Sequence, residues 1–205
     1  MAIAWKSKMT TNWTLIRTSA PSVLPVSLSE VKSHLRLSSS DTTHDANLTL
    51  LIEAAVERLE QDLDRQVITA DFRVTRFNWG GDTAEVKLNK KAVCSITTVK
   101  YVDVDGNTVT LDSDDYILDK GRCSIFPAAG TTWPEVLADD PNGVVIDFCA
   151  GYGPSADCVP RLFKTAIMLG VGKWFFDPAQ EGSALHSQEV AYERIVALLA
   201  RSSYP

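Results

Sequence analysis

The sequence is poor in the residues that hold metals. It has four cysteines (Cys94, Cys123, Cys149, Cys158), no two in CxxC spacing, and three histidines (His34, His44, His186) far from them. A zinc constellation needs thiolates and imidazoles at short, fixed spacings, so no metal is expected, and the thiols read as reduced cysteines of a cytosolic chain. No run approaches the roughly 18 consecutive apolar residues that span a bilayer, and the first residues lack an uninterrupted apolar core before a small-residue cleavage site, so secretion is not expected. Positive charge is scarce: 20 Lys plus Arg stand against 26 Asp plus Glu, a formal net charge of −6. Such a chain is ill suited to neutralising many phosphates, so tight wrapping of nucleic acid is disfavoured. The templates GxSxG, GxxxxGK[ST], GxGxxG and HExxH are absent, leaving no foothold for nucleophile, phosphate or zinc chemistry. No catalytic residue and no cofactor is expected.

What is present is ordinary for a globular protein: 205 residues, 45% hydrophobic and 22% charged, which suits one compact unit with appendages. The charge is unevenly spread. Residues 1–26 carry Lys6, Lys8 and Arg17 and no acid, whereas residues 41–71 carry Asp41, Asp45, Glu53, Glu57, Glu60, Asp62, Asp64 and Asp71 against only Arg58 and Arg65.

The periodicities predict an α+β fold, a helical body of two N-terminal and two C-terminal helices around a central antiparallel β-subdomain. Residues 1–26, ending in Pro21-Ser22-Val23-Leu24-Pro25, read as an extended arm because prolines oppose a helix. Ser27-Leu28-Ser29-Glu30 has capping-box spacing and starts a helix. Asp41 or Thr43 can cap a second helix at about 43–65, with Leu48, Leu51, Ile52, Ala55, Leu59 and Leu63 on one face and acids on the other. From residue 67 the period becomes two, with short β-rich runs to residue 148 and a hairpin turning at Asp105-Gly106. The connection from Pro127 to Gly143 is too long for a hairpin turn and is expected to fold over the sheet. Pro160 introduces an unusually apolar helix, about 160–176, and an amphipathic segment follows at about 187–201. The expected divisions are 1–26, 27–66, 67–153 and 154–205, with 27–205 forming one compact unit.

Asp112-Ser113-Asp114-Asp115 lacks the glycine and closing Glu of a calcium loop and reads as a solvated turn. Asp41 and His44 have the spacing of a helix cap rather than of an acid–base pair. The remaining signals concern assembly. Trp5 and Trp13 lie in the arm, and tryptophan is enriched at interface hot spots, so the arm either docks on a partner or folds back on its own core. Trp174, Phe175 and Phe176 point in three directions about 100° apart on a helix, which one fold surface does not easily bury. These five aromatics are the candidate protein–protein interface.

Leu24-Pro25-Val26-Ser27-Leu28-Ser29-Glu30-Val31-Lys32-Ser33-His34-Leu35-Arg36-Leu37 opens a series of landmarks. Leu51-Ile52-Glu53-Ala54-Ala55-Val56-Glu57-Arg58-Leu59-Glu60, Asp64-Arg65-Gln66-Val67-Ile68-Thr69 and Ser95-Ile96-Thr97-Thr98-Val99-Lys100-Tyr101-Val102-Asp103 follow. Tyr116, Trp133-Pro134, Val144 to Tyr152, Val159-Pro160 and Lys173-Trp174-Phe175-Phe176 complete it. In order and spacing, over about residues 24–177, this resembles the bacteriophage head-tail connector (adaptor, head-completion) proteins of long-tailed phages. Met9 makes a more typical start, so residues 1–8 are expected to be an alternative initiation or an addition.

That resemblance implies a structural virion protein of the neck, made in the bacterial host cytoplasm and without enzymatic activity. It implies a homo-oligomeric ring of about twelve subunits under the portal protein, extending the channel for double-stranded DNA without binding it specifically. The ring would dock the next neck or tail-completion protein, with no membrane partner. In such a channel the acids Glu53, Glu57 and Glu60 are candidates to face the DNA. Alternatives are a tail terminator or other neck protein, or a small β-rich binding module or enzyme with its active residues in 127–143.

Overall fold

The computed structural model describes residues 13–80, 84–137, 140–176 and 183–201, the last stretch with side chains from 188 onward. Among the described residues there are eight strands and four α-helices: β1 (Trp13–Ser19), α1 (Leu28–His34), α2 (Asp45–Leu63), β2 (Ala70–Arg76), β3 (Val86–Lys87), β4 (Val93–Val102), β5 (Thr108–Thr110), β6 (Tyr116–Asp119), β7 (Ser124–Pro127), β8 (Val144–Ala150), α3 (Arg161–Phe175) and α4 (Ser183–Arg201). The fold is α+β, with two helices before the β region and two after it. The described residues divide into two compact units interleaved along the chain. The first takes those up to Thr18, between Asp71 and Asn89 and between Ser95 and Cys149; the second takes the rest.

In the first unit a five-stranded sheet runs in the order β1-β2-β8-β4-β5, and an antiparallel three-stranded sheet in the order β3-β7-β6. The period of two decides which side chains face inward. Along β2, Ala70, Phe72 and Val74 are buried between exposed Asp71 and Arg73; along β8, Val144, Ile146, Phe148 and Ala150 alternate with half-buried neighbours. Phe72 and Phe148 stack with centroids 5.7 Å apart. The β4–β5 hairpin turns where Asp105-Gly106 places it. Gly106 has φ +85°, and the Asp103 carboxylate accepts the backbone N–H groups of Asp105 and Asn107 at 3.0 and 2.8 Å. In the β6–β7 hairpin the left-handed residue is Cys123, not Gly121.

The second unit is built on one apolar cluster. Leu48, Ile52, Ala55, Leu59 and Leu63, at three- and four-residue steps on α2, meet Phe163, Ala166, Ile167 and Val171 of α3, with Tyr192 and Leu199 from α4. At Gly170 an added Cβ would already touch the Ala55 methyl at 3.4 Å, so a larger side chain would push α2 and α3 apart. The capping box forms: Ser27 Oγ accepts the Glu30 N–H at 3.2 Å, and the Glu30 carboxylate accepts the Ser27 N–H at 2.6 Å. On α2 the cap position falls to His44, which makes no side-chain capping bond; Asp41 instead closes the turn before it by accepting the Thr43 N–H at 2.9 Å. Gly151 supports a close approach within this unit: its φ is +136°, and a Cβ would lie 2.5 Å from the Thr69 backbone.

Candidate functional site

Among the described residues no group of three or more His, Cys, Asp or Glu is placed to hold a metal ion. The Asp112–Asp115 run is a short turn in which the Asp112 carboxylate accepts the Asp114 N–H at 3.1 Å. Cys94 on β4 and Cys149 on β8 are disulfide-bonded, whereas Cys123 and Cys158 are free. The expectation of four reduced thiols is corrected for two of them: β4 and β8 are neighbours in one sheet, which the sequence separation concealed.

The candidate interface aromatics are not brought together. Trp5 lies outside the described residues. Trp13 is half-buried at the start of β1, so the end of the expected arm is an edge strand of the five-stranded sheet. On α3, Trp174 packs against the apolar cluster and lies 5.8 Å from the Arg58 guanidinium. Phe175 packs there too and meets His44 edge-on at 5.4 Å. Phe176, in edge contact with Phe175, keeps 47% of its surface exposed. Of the three directions, two are satisfied inside the unit and one is left to solvent.

The three candidate channel acids also separate. Glu53 and Glu57 are exposed on α2 beside Leu50. Glu60 is only 7% exposed, and its Oε1 accepts the Val67 N–H at 3.0 Å. Glu60 is therefore corrected: it is an internal acceptor for the chain leaving α2, because a backbone donor buried there must be paired. Next to it, buried Arg65 donates from Nη1 to the Tyr152 hydroxyl at 2.6 Å.

Two clusters escaped the sequence reading. In the second unit Arg58 lies 4.7 Å from the Tyr192 ring and pairs with Asp62 and Glu189. The Tyr192 hydroxyl donates to Asp62 at 2.8 Å, and Lys173 pairs with Glu189. Burial, reinforced by the Asp62 carboxylate, pushes the Tyr192 hydroxyl well above its usual range. The i, i+4 spacing of Arg58 and Asp62 was visible in the sequence; their partners on α4 were not. In the first unit Trp79 and Trp133 stack at 4.4 Å with planes 8° apart. Their indole nitrogens donate to the carbonyls of Pro134 at 2.9 Å and Ala84 at 2.8 Å. This pair pins the long connection after β7, and both N–H groups are used within the unit.

Apart from the free thiols, the nucleophilic and acid–base side chains described above serve caps, turns and internal pairs, and the exposed residues that stand out are apolar or acidic surface groups. Residues 25–118, a little under half of the chain, match the family described as phage gp6-like head-tail connector protein. No curated protein matches the chain.

Several solved structures share the fold, among them the following three. The neck of an empty GTA particle computed with C6 symmetry matches at TM-score 0.70 and 21% identity, covering 89% of this chain and 94% of the other. The neck of a native GTA particle computed with C12 symmetry gives 0.69 and 22%, covering 91% and 94%. The virion of a native gene transfer agent particle gives 0.66 and 23%, covering 87% and 94%. At these identities the likeness is one of fold.

Proposed function

We propose that this chain is a structural head-tail connector of a virion neck, a ring of about twelve copies beneath the portal that extends the DNA channel and receives the next neck or tail protein. The observation that carries the reading is the connector segment at residues 25–118, set in a chain whose fold follows that of a GTA neck protein over 91% of its length. A closed ring needs the same heterologous contact repeated around an axis. Among the described residues of the aromatic set, Phe176 is the exposed one and is open to such a contact, and Trp13 and the residues before it are the candidate portal contact. Glu53 and Glu57 are the acids open to a channel, where like charge would keep DNA from adhering to the wall.

The test is to mix the purified protein with the portal of the same particle and measure mass by light scattering, then image the complex. A cyclic species on the portal is expected, and Phe176→Ala should lower its yield while leaving the melting temperature unchanged. A protein that stays unassembled with portal, or a Phe176→Ala variant that only unfolds, would count against the reading. In assembled particles, Glu53→Lys with Glu57→Lys should slow DNA exit at low salt and less at high salt, because exposed charges are screened beyond about 8 Å at physiological ionic strength.

A further inference from the structure

The three-stranded sheet separates charge between its two ends. Its register sets Lys87 and Asp119 on either side of Ser124 at one end and Tyr116 opposite Pro127 at the other, about 10 Å away along the strand. The end at Tyr116 is acidic. It follows the turn Asp112-Ser113-Asp114-Asp115, whose carboxylate residues are all exposed, and residues 101–119 contain no lysine or arginine.

The opposite end is basic. Lys87, Lys120 and Arg122 are exposed there, and Arg76 Nη1 donates to the Lys87 carbonyl at 3.1 Å. Two acids share this end, and both are occupied locally. Glu85 accepts from the Ser124 hydroxyl at 2.8 Å, and Asp119 accepts the Arg122 N–H at 3.1 Å and pairs with its guanidinium. Arg76 has no carboxylate partner among the described residues. Its Nε is buried without an acceptor, and burial pushes the guanidinium below its usual range with no opposing charge to offset it. A buried donor without an acceptor and a half-buried charge without a counter-ion each cost free energy that a docked anion would recover.

We infer that the basic end of this sheet in one copy receives the Asp112–Asp115 turn of the next copy, so that neighbouring subunits of the ring meet through opposite charges, with a carboxylate of the turn on Arg76. The inference rests on the ring reading above. A cyclic assembly requires two different surfaces on each subunit that fit each other. The two ends of one small sheet meet that need, and complementary charge fixes which surface meets which. A carboxylate also matches the planar fork of a guanidinium. A DNA phosphate would satisfy Arg76 equally but leaves the acidic turn without a role.

The test reverses each end in the full chain. Asp114→Lys with Asp115→Lys keeps the Asp112 cap and makes both ends basic; Lys87→Glu with Lys120→Glu makes both acidic. Each variant alone should lower ring yield on portal roughly tenfold at low salt, with circular dichroism and melting unchanged. Mixed in equal amounts, the two should recover the ring, since around an even number of subunits every contact then joins a basic end to an acidic one. Full assembly by either variant alone, or no recovery in the mixture, would overturn the inference while leaving the ring reading intact.

Arg76→Met should melt no earlier than the parent, because it removes an unpaired buried charge, yet assemble less well. Full assembly by Arg76→Met would overturn the Arg76 contact. A short DNA duplex that binds the parent but not the Lys87→Glu, Lys120→Glu variant, while the Asp114→Lys, Asp115→Lys variant assembles in full, would assign the basic end to phosphate and overturn the inference. Absence of any ring from the unmodified protein would instead overturn the ring reading, and this inference with it.

Discussion

The helical unit and the β unit are held by different physics. In the first, a continuous apolar cluster from three long helices and the segments around them supplies most of the stabilisation, and the Arg58–Tyr192–Glu189 group ties α4 to α2. In the second, two smaller sheets share the work with a stacked tryptophan pair that holds a long connection in place. A cluster tolerates variation in detail but suffers from a cavity, whereas a clamp fails locally.

The comparison breaks most visibly at Phe163, which is fully buried and meets Tyr152 edge-on at 5.0 Å. Phe163→Ala should cost about 3–5 kcal/mol, the range for emptying an aromatic site in a packed core. Urea unfolding followed by far-ultraviolet circular dichroism should show that loss in the helical signal. If the near-ultraviolet signal of the Trp79–Trp133 pair keeps its own midpoint, the units unfold separately; a joint shift of both would show that they form one cooperative system.

A smaller loss is expected at Trp133→Phe. The change keeps an aromatic ring over Trp79 but removes the N–H that reaches the Ala84 carbonyl, a hydrogen bond worth about 1 kcal/mol net. Proteolysis in the connection between β7 and β8 should accelerate before the helical signal changes. Equal loss of both signals would mean that the clamp is not local.

Much of this division was legible in the sequence. α2, α3 and most strands lie within a few residues of where periodicity puts them, because their buried faces recur at the helical or strand period. β1 was not legible. Trp13–Ser19 precedes a proline-bounded stretch, and an edge strand is decided by the neighbour it finds rather than by its own pattern. Glu60 stood on the border of the polar face of α2, and nothing local told that the chain would return to bring it the Val67 N–H. The thiol state of Cys94 and Cys149 depended on long-range folding in the same way. Local chemistry specified elements and caps, and long-range topology decided edges, internal acceptors and thiol state.

The Arg73–Asp147 pair sharpens the comparison through pH, since it joins β2 to β8 across the β unit. Arg73 Nε and Nη2 donate to the Asp147 carboxylate at 2.7 and 3.0 Å, and the Thr98 hydroxyl adds a bond at 3.1 Å. The Arg73 hydrogen bonds chiefly, against some burial, hold the Asp147 carboxyl below its usual 3.8. A lowered folded-state value means that the stabilisation is complete above the unfolded value and is lost as pH falls through the lowered one. Asp147→Asn should thus cost at most about 1 kcal/mol at pH 6, solvent screening limiting a pair this exposed, and the cost should shrink towards pH 2–3. A difference from the parent that stays constant with pH would assign the loss to packing instead.

The smallest effect separates two helix ends within the helical unit. α1 and α2 both stop through a left-handed residue: Arg36 with φ +59° and Asp64 with φ +51°. At each, the next amide reaches back to the helix, from Leu37 to the Lys32 carbonyl at 2.9 Å and from Arg65 to the Glu60 carbonyl at 3.1 Å. Glycine is favoured at such positions because a Cβ crowds the carbonyl there, at about 1–2 kcal/mol for an ordinary residue. Aspartate tolerates the region better than arginine. Glycine also makes the unfolded chain more flexible, which returns about 0.5–1 kcal/mol. For Arg36→Gly the first effect is the larger, and a gain of about 0.5 kcal/mol is expected in the urea midpoint; for Asp64→Gly the two nearly cancel, and no gain is expected. If Arg36→Gly proved destabilising, the long arginine side chain would have to contribute packing or pairing that exceeds its backbone strain.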